Sequence, residues 1–129
     1  MEHWHQSPKR LFHQMLNSLA PGGLFILGVP NASNLRKRVE AVLGQTEWSS
    51  MGEWYERPQF RSHVREPNVR DLRYIARDLG LENVQIIGRN YQGLISSGAV
   101  RMVTRAIDLP LRLFPTLCAD IYLVAEKPR

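Results

Sequence analysis

Cysteine is almost absent. Cys118 stands alone in 129 residues, so no internal disulfide can staple the chain. A lone thiol fits a reducing compartment, and the expected location is cytoplasmic. Long apolar runs are missing too, and none reaches the roughly 20 residues that span a bilayer. The opening Met1-Glu2-His3-Trp4-His5 has neither the basic region nor the apolar stretch of a secretion signal. Lysine is scarce, found only as Lys9, Lys37 and Lys127, so arginine carries most of the +5 charge. Arg70, Arg73 and Arg77 share a helical face, and Arg36, Lys37 and Arg38 cluster on another helix. Rings that would stack on bases do not alternate with them. A solvated surface therefore explains these charges better than a basic nucleic-acid-binding module does.

What is present is a patterned, core-forming chain. Hydrophobic residues make up 43% of it, enough for one modest domain over 1–129 and not for two. The spacing of Leu11, Phe12, Met15, Leu16 and Leu19 predicts a helix from Pro8 to Leu19, with Ser7 as cap. Pro21-Gly22-Gly23 stops it. Leu24 to Val29 is apolar on both faces, which predicts an interior strand covered by helices on both sides. Pro30 ends that strand. Asn31 or Ser33 can cap a second helix, in which Leu35, Val39, Val42 and Leu43 share a face, with Gly44 as its stop.

No period is visible from Gln45 to Pro67, where Trp48, Trp54, Tyr55 and Phe60 sit among polar residues. A lid or substrate loop, a short irregular helix, and a segment pinned down by its rings all fit. A third helix is predicted over Val69–Leu79, capped by Asn68, with Asp71 in its first turn and Gly80 at its end. Strands follow at Val84–Ile87 and Ile121–Ala125, with a helix at Gly98–Ile107 between them and Pro110 and Pro115 breaking the chain. The pattern is α/β.

The ordered series of motifs resembles the C-terminal half of a class I S-adenosylmethionine-dependent methyltransferase. Leu19-Ala20-Pro21-Gly22-Gly23 and the strand ending Val29-Pro30-Asn31 look like the region around that family's fifth strand. Glu2-His3, with Pro8 following, looks like the Glu-His pair after its fourth strand. Asn34-Leu35-Arg36 resembles a branch acting on small molecules, sugars or quinone-like substrates. His63-Val64-Arg65-Glu66, followed by a helix with Asp71-Leu72 and Gly80-Leu81, resembles the segment before the sixth strand. Ile121–Ala125, closing Glu126-Lys127-Pro128, resembles the seventh. The resemblance implies a partial Rossmann-like sheet of three strands, equivalent to strands 5, 6 and 7, the last antiparallel. It also implies S-adenosyl-L-methionine as cofactor and a small-molecule methyl acceptor.

The family's glycine-rich loop and its ribose-binding acidic residue should precede all of this, and neither is here. Gly22-Gly23 leads into a strand, not out of one, and cannot present amides at a helix start. Most of the cofactor site is therefore expected outside this chain, which is expected to have little activity alone. The strand at 24–29 should carry an unpaired edge, which invites a missing N-terminal half or a second copy. A non-catalytic remnant or partner subunit assembling through that edge is the alternative.

By resemblance, Glu2 and His3 are cofactor-site candidates. Pro30 and Asn31 are substrate-site candidates at the carboxyl end of a strand, where open α/β sheets bind ligands. Trp54 and Tyr55 in the ring-rich loop are candidates for substrate selectivity. His3 can act as base or can organise its loop. His63 can approach the site or pair locally with Glu66. His3, His5 and His63 could share a face, but no cysteine or acidic pair completes a ligand spacing, so no metal is expected. Cys118 reads as a small core residue.

Overall fold

The strand made last lies in the middle of the sheet. The computed structural model describes residues 1–45 and 49–129. Its strands are β1 (Leu24–Pro30), β2 (Glu82–Arg89) and β3 (Asp120–Glu126), in the spatial order β1-β3-β2. β3 runs antiparallel to both neighbours, and Leu123 faces Leu27 on one side and Ile86 on the other. Three strands, with the last antiparallel, is what the sequence led us to expect. β2 is longer than its apolar segment because the hydrogen-bonded ladder continues through the polar residues at its ends.

Around the sheet run α1 (Lys9–Ser18), α2 (Leu35–Val42), α3 (Met51–Tyr55), α4 (Val69–Asp78), α5 (Tyr91–Ile95) and α6 (Gly98–Leu111), with a 3-10 turn at Pro115–Leu117. α4 forms as its sequence predicts. The Asn68 side chain accepts from the amides of Arg70 and Asp71, and Asp71 accepts from the Asn68 amide, a reciprocal capping box. Val69, Leu72, Ala76 and Leu79 are buried, and Gly80 turns the chain out at φ +65°. In α1 the Ser7 hydroxyl accepts from the Lys9 amide at 3.3 Å, and the helix begins one residue after Pro8. Phe12 and Leu16 enter the core, Phe12 meeting Phe25 edge-on at 6.1 Å, while Met15 stays exposed.

The core joins these α1 and α4 residues to Phe25, Val29, Ile121, Leu123 and Ala125, all on one face of the sheet. This corrects the expectation of a strand covered on both sides, because Leu24 and Ile26 are 58% and 60% exposed. An apolar residue records what it could bury, and here both helices that pack on β1 and β3 lie on the same side. Asn34, and neither Asn31 nor Ser33, caps α2, accepting from the Lys37 amide at 2.9 Å. The α2 stripe of Leu35, Val39, Val42 and Leu43 is exposed, not buried. α6 continues past Ile107 to Leu111 and includes Pro110. The short helix α5 has no counterpart in the periodicity. Trp48 lies outside the described residues. Among the described residues no helix is long and apolar enough to cross a membrane.

A polar knot fastens α6 to the sheet. The Asn90 amide donates to Asp108 at 2.9 Å, its oxygen accepts from the Ala119 amide at 2.9 Å, and Arg112 donates to Asp108 at 2.5 Å. Cys118 is fully buried against Gly88, where an added Cβ would come within 2.5 Å of its sulfur. Burial pushes the Cys118 thiol up, which suits a packing residue and not a nucleophile.

Leu72, with no exposed surface, gives a first prediction. Leu72→Ala should lower stability in urea by about 2–5 kcal/mol, whereas Ile26→Ser on the bare face should change it by about 0.5 kcal/mol or less. Asp108 gives a second. Burial raises its carboxyl, but Asn90 and Arg112 outweigh that and hold it below its ordinary value of 3.8. Its contribution is complete above that unfolded value and is lost as pH falls through the lower folded one. Acid titrations followed by circular dichroism should show Asp108→Asn losing less stability than wild type between about pH 5 and 3.

Candidate functional site

At the carboxyl end of β1 the chain turns sharply, and one side chain fixes the turn. Asn31 is fully buried. Its amide nitrogen donates to the carbonyls of Thr116 and Cys118 at 3.1 and 2.8 Å, and its oxygen accepts from the Ser33 amide at 3.0 Å. Its backbone amide donates to Ala119, and Ala32 donates to Pro67. Asn31 thus ties the end of β1 to the chain entering β3. Its polar atoms are engaged within the protein, and it shapes the site without lining it.

Beyond this turn opens a cleft of about 550 Å³ lined by Pro30, Asn34, Lys37, Glu53, His63 and Glu66, among others. Glu66 organises it. Its carboxylate is 4% exposed and accepts from Lys37 Nζ with one oxygen and from His63 Nδ1, at 2.6 Å, with the other. The local His63–Glu66 pair anticipated from sequence is therefore present, and His63 also reaches the cleft. Lys37 was missed as a site residue. The signal for it was slight: a lone lysine inside an arginine cluster, one turn after the capping Asn34.

The N-terminal segment is held beside His63 by its backbone, for the Glu2 carbonyl accepts from the amides of Val64 and Arg65 at 2.6 and 3.3 Å. This brings the His3 ring to 4.6 Å from the His63 ring, edge to face. His3 Nδ1 lies 3.0 Å from the Arg61 carbonyl. Burial pushes the Glu2 carboxyl up, but its own amide, the Met1 ammonium and His63 prevail and hold it below the usual carboxylate range. His5 goes elsewhere and meets Phe60 edge-on at 6.2 Å.

Trp54 lines a second cleft of about 310 Å³, with His5, Phe60 and His63. Tyr55 is 76% exposed and leans on Trp54, with ring centres 6.4 Å apart. The structure thus brings Pro30, His63 and Trp54 to two adjoining clefts, sets Glu2 and His3 against the His63 segment at their side, and leaves Asn31 beneath and Tyr55 at the surface. A third, apolar groove of about 410 Å³ runs between α2 and α6, lined by Leu35, Val103, Ile107 and Leu117, and shares Asn34 and Arg36 with the large cleft.

Gly22 and Gly23 do not line the large cleft. They lie at the amino end of β1, where Gly22 donates to Lys127 at 2.9 Å, at the opposite end of the strand from the cleft. Nothing there can meet a ligand bound near Pro30.

Glu66 generates a prediction for this arrangement. Glu66→Ala leaves Lys37 and the His63 Nδ1–H without their acceptor, and should cost about 1–3 kcal/mol in urea denaturation. The His63 Nδ1 proton signal should also be lost from the nuclear magnetic resonance spectrum.

No curated protein matches this chain. A solved structure described as a SAM dependent methyltransferase from Archaeoglobus fulgidus is similar to it, with a TM-score of 0.44 and 21% sequence identity. That match covers 98% of this chain and 55% of the other, so this chain spans about half of that structure's length. A family model described as a methyltransferase domain matches residues 1–86, and the chain belongs to that methyltransferase-domain family.

Proposed function

We propose that this chain supplies the acceptor-binding half of a cytoplasmic S-adenosylmethionine-dependent methyltransferase acting on a small molecule. The observation that carries the reading is the cleft at the carboxyl end of β1, where His63 and Lys37 converge on Glu66 and an apolar groove adjoins. A polar cleft beside an apolar groove suits an acceptor with a polar reacting end and an apolar body. In this reading His63 orients the acceptor or takes its proton, Pro30 shapes the floor, and Trp54 bounds the entrance. His3 supports His63 from the other side. The rest of the cofactor site belongs to residues outside 1–129, and these would cover the bare face of β1.

Isothermal titration of the purified chain with S-adenosylmethionine tests this. The expected outcome is no binding at micromolar concentration, and micromolar affinity would overturn the division into halves. A glycine-rich strand–turn–helix, encoded upstream of Met1 in the same frame or on a partner chain, should restore binding when joined to it.

The exposed Leu24 and Ile26 favour a second reading, in which the chain is a non-catalytic subunit that assembles through β1. Sedimentation then shows a dimer, and Ile26→Lys returns it to monomer. A monomer at every concentration removes this reading.

A further inference from the structure

We propose that Glu2, His3 and His63 form a binding site for one divalent transition-metal ion of the zinc class. The carboxylate of Glu2 and one ring nitrogen from each histidine lie within 4.8 Å of one another, the one such group found among the described residues. In a tetrahedral site with metal–ligand bonds of about 2.1 Å, donor atoms sit about 3.4 Å apart. Donor atoms at the far end of that range need to close by about 1.4 Å to enclose an ion, and the His3 side chain, 52% exposed, has room to do so.

The hydrogen bonds engage the other nitrogen of each ring. His3 Nδ1 faces the Arg61 carbonyl and His63 Nδ1 faces the Glu66 carboxylate, at 3.0 and 2.6 Å. Both partners are acceptors, so each Nδ1 carries a proton, and Nε2 is the atom left for a metal ion on each ring once that ring is neutral. A histidine whose second nitrogen donates to a carboxylate, as His63 does to Glu66, is the arrangement that orients and strengthens a metal-binding imidazole. Glu66 is held in turn by Lys37, so the support for His63 extends to α2. Two imidazoles and a carboxylate suit zinc and its neighbours, not magnesium or calcium.

Sequence spacing concealed the set. The residues that pair in the sequence are His3 and His5, but His5 turns towards Phe60 and Glu2 takes its place. Three protein ligands leave a coordination position free, and His63 lines the large cleft, so a bound ion would stand at its edge. The site does not depend on the methyl-transfer reading, because the metal can be measured without any cofactor or acceptor; with an ion on Nε2, the role left to His63 in that reading is to orient the acceptor, not to take its proton.

Competition between the untagged protein and a chromophoric zinc chelator provides the test. Zinc should bind as one ion per chain with a micromolar or smaller dissociation constant. His3→Ala, His63→Ala and Glu2→Gln should each weaken it about tenfold or more, while His5→Ala and His13→Ala leave it unchanged. In nitrogen-15 spectra of wild-type protein, zinc should shift Nε2 of His3 and His63 while both Nδ1 protons persist. Absence of zinc binding, affinity that survives His3→Ala, or ligation through Nδ1 would each overturn the site. His3 is exposed enough for its variant to fold, so the test stands even if His63→Ala does not fold.

Discussion

Everything in this fold depends on the two ladders of hydrogen bonds that β3 makes with β1 and β2. Neither outer strand touches the other, so β3 alone makes them one sheet. Ile121, Leu123 and Ala125 on its inner face have almost no exposed surface, and α1 and α4 pack where they point. Asn31 then fixes the end of β1 to the chain entering β3, and Asn90 does the same for the end of β2. The clefts lie just past these two fastenings.

Elements whose signals are local were legible in the sequence. α4 carries its cap, its first-turn acid, its apolar stripe and its stop within a dozen residues, and the structure uses each of them. β1 and β3 were likewise marked by apolar runs between breakers. Signals that need a partner were misread. Leu24 and Ile26 have the composition of a strand covered on both faces, but composition does not say whether the second cover is present. The stripe on α2 has helical spacing and stays exposed for the same reason. α5 is too short to show a period.

The site was legible one residue at a time and not as a set. His63 beside Glu66 could be read from three-residue spacing, and Glu2-His3 from its likeness to a family motif. That these two segments meet depends on the Glu2 carbonyl accepting from Val64 and Arg65, a contact across some sixty residues that no local pattern encodes. Lys37 reaches Glu66 only because Asn34, rather than Asn31 or Ser33, begins α2 and so sets which way that helix turns. An error of three residues in a cap is enough to hide a site residue.

The central place of β3 also dictates the order in which this chain can assemble. β1 is complete by Pro30, but the strand it pairs with begins at Asp120. During synthesis, the edge of β1 that pairs with β3 must therefore wait for nearly the whole chain. Loop closure over such a separation is slow, and an apolar strand held open is the kind of segment that associates with others.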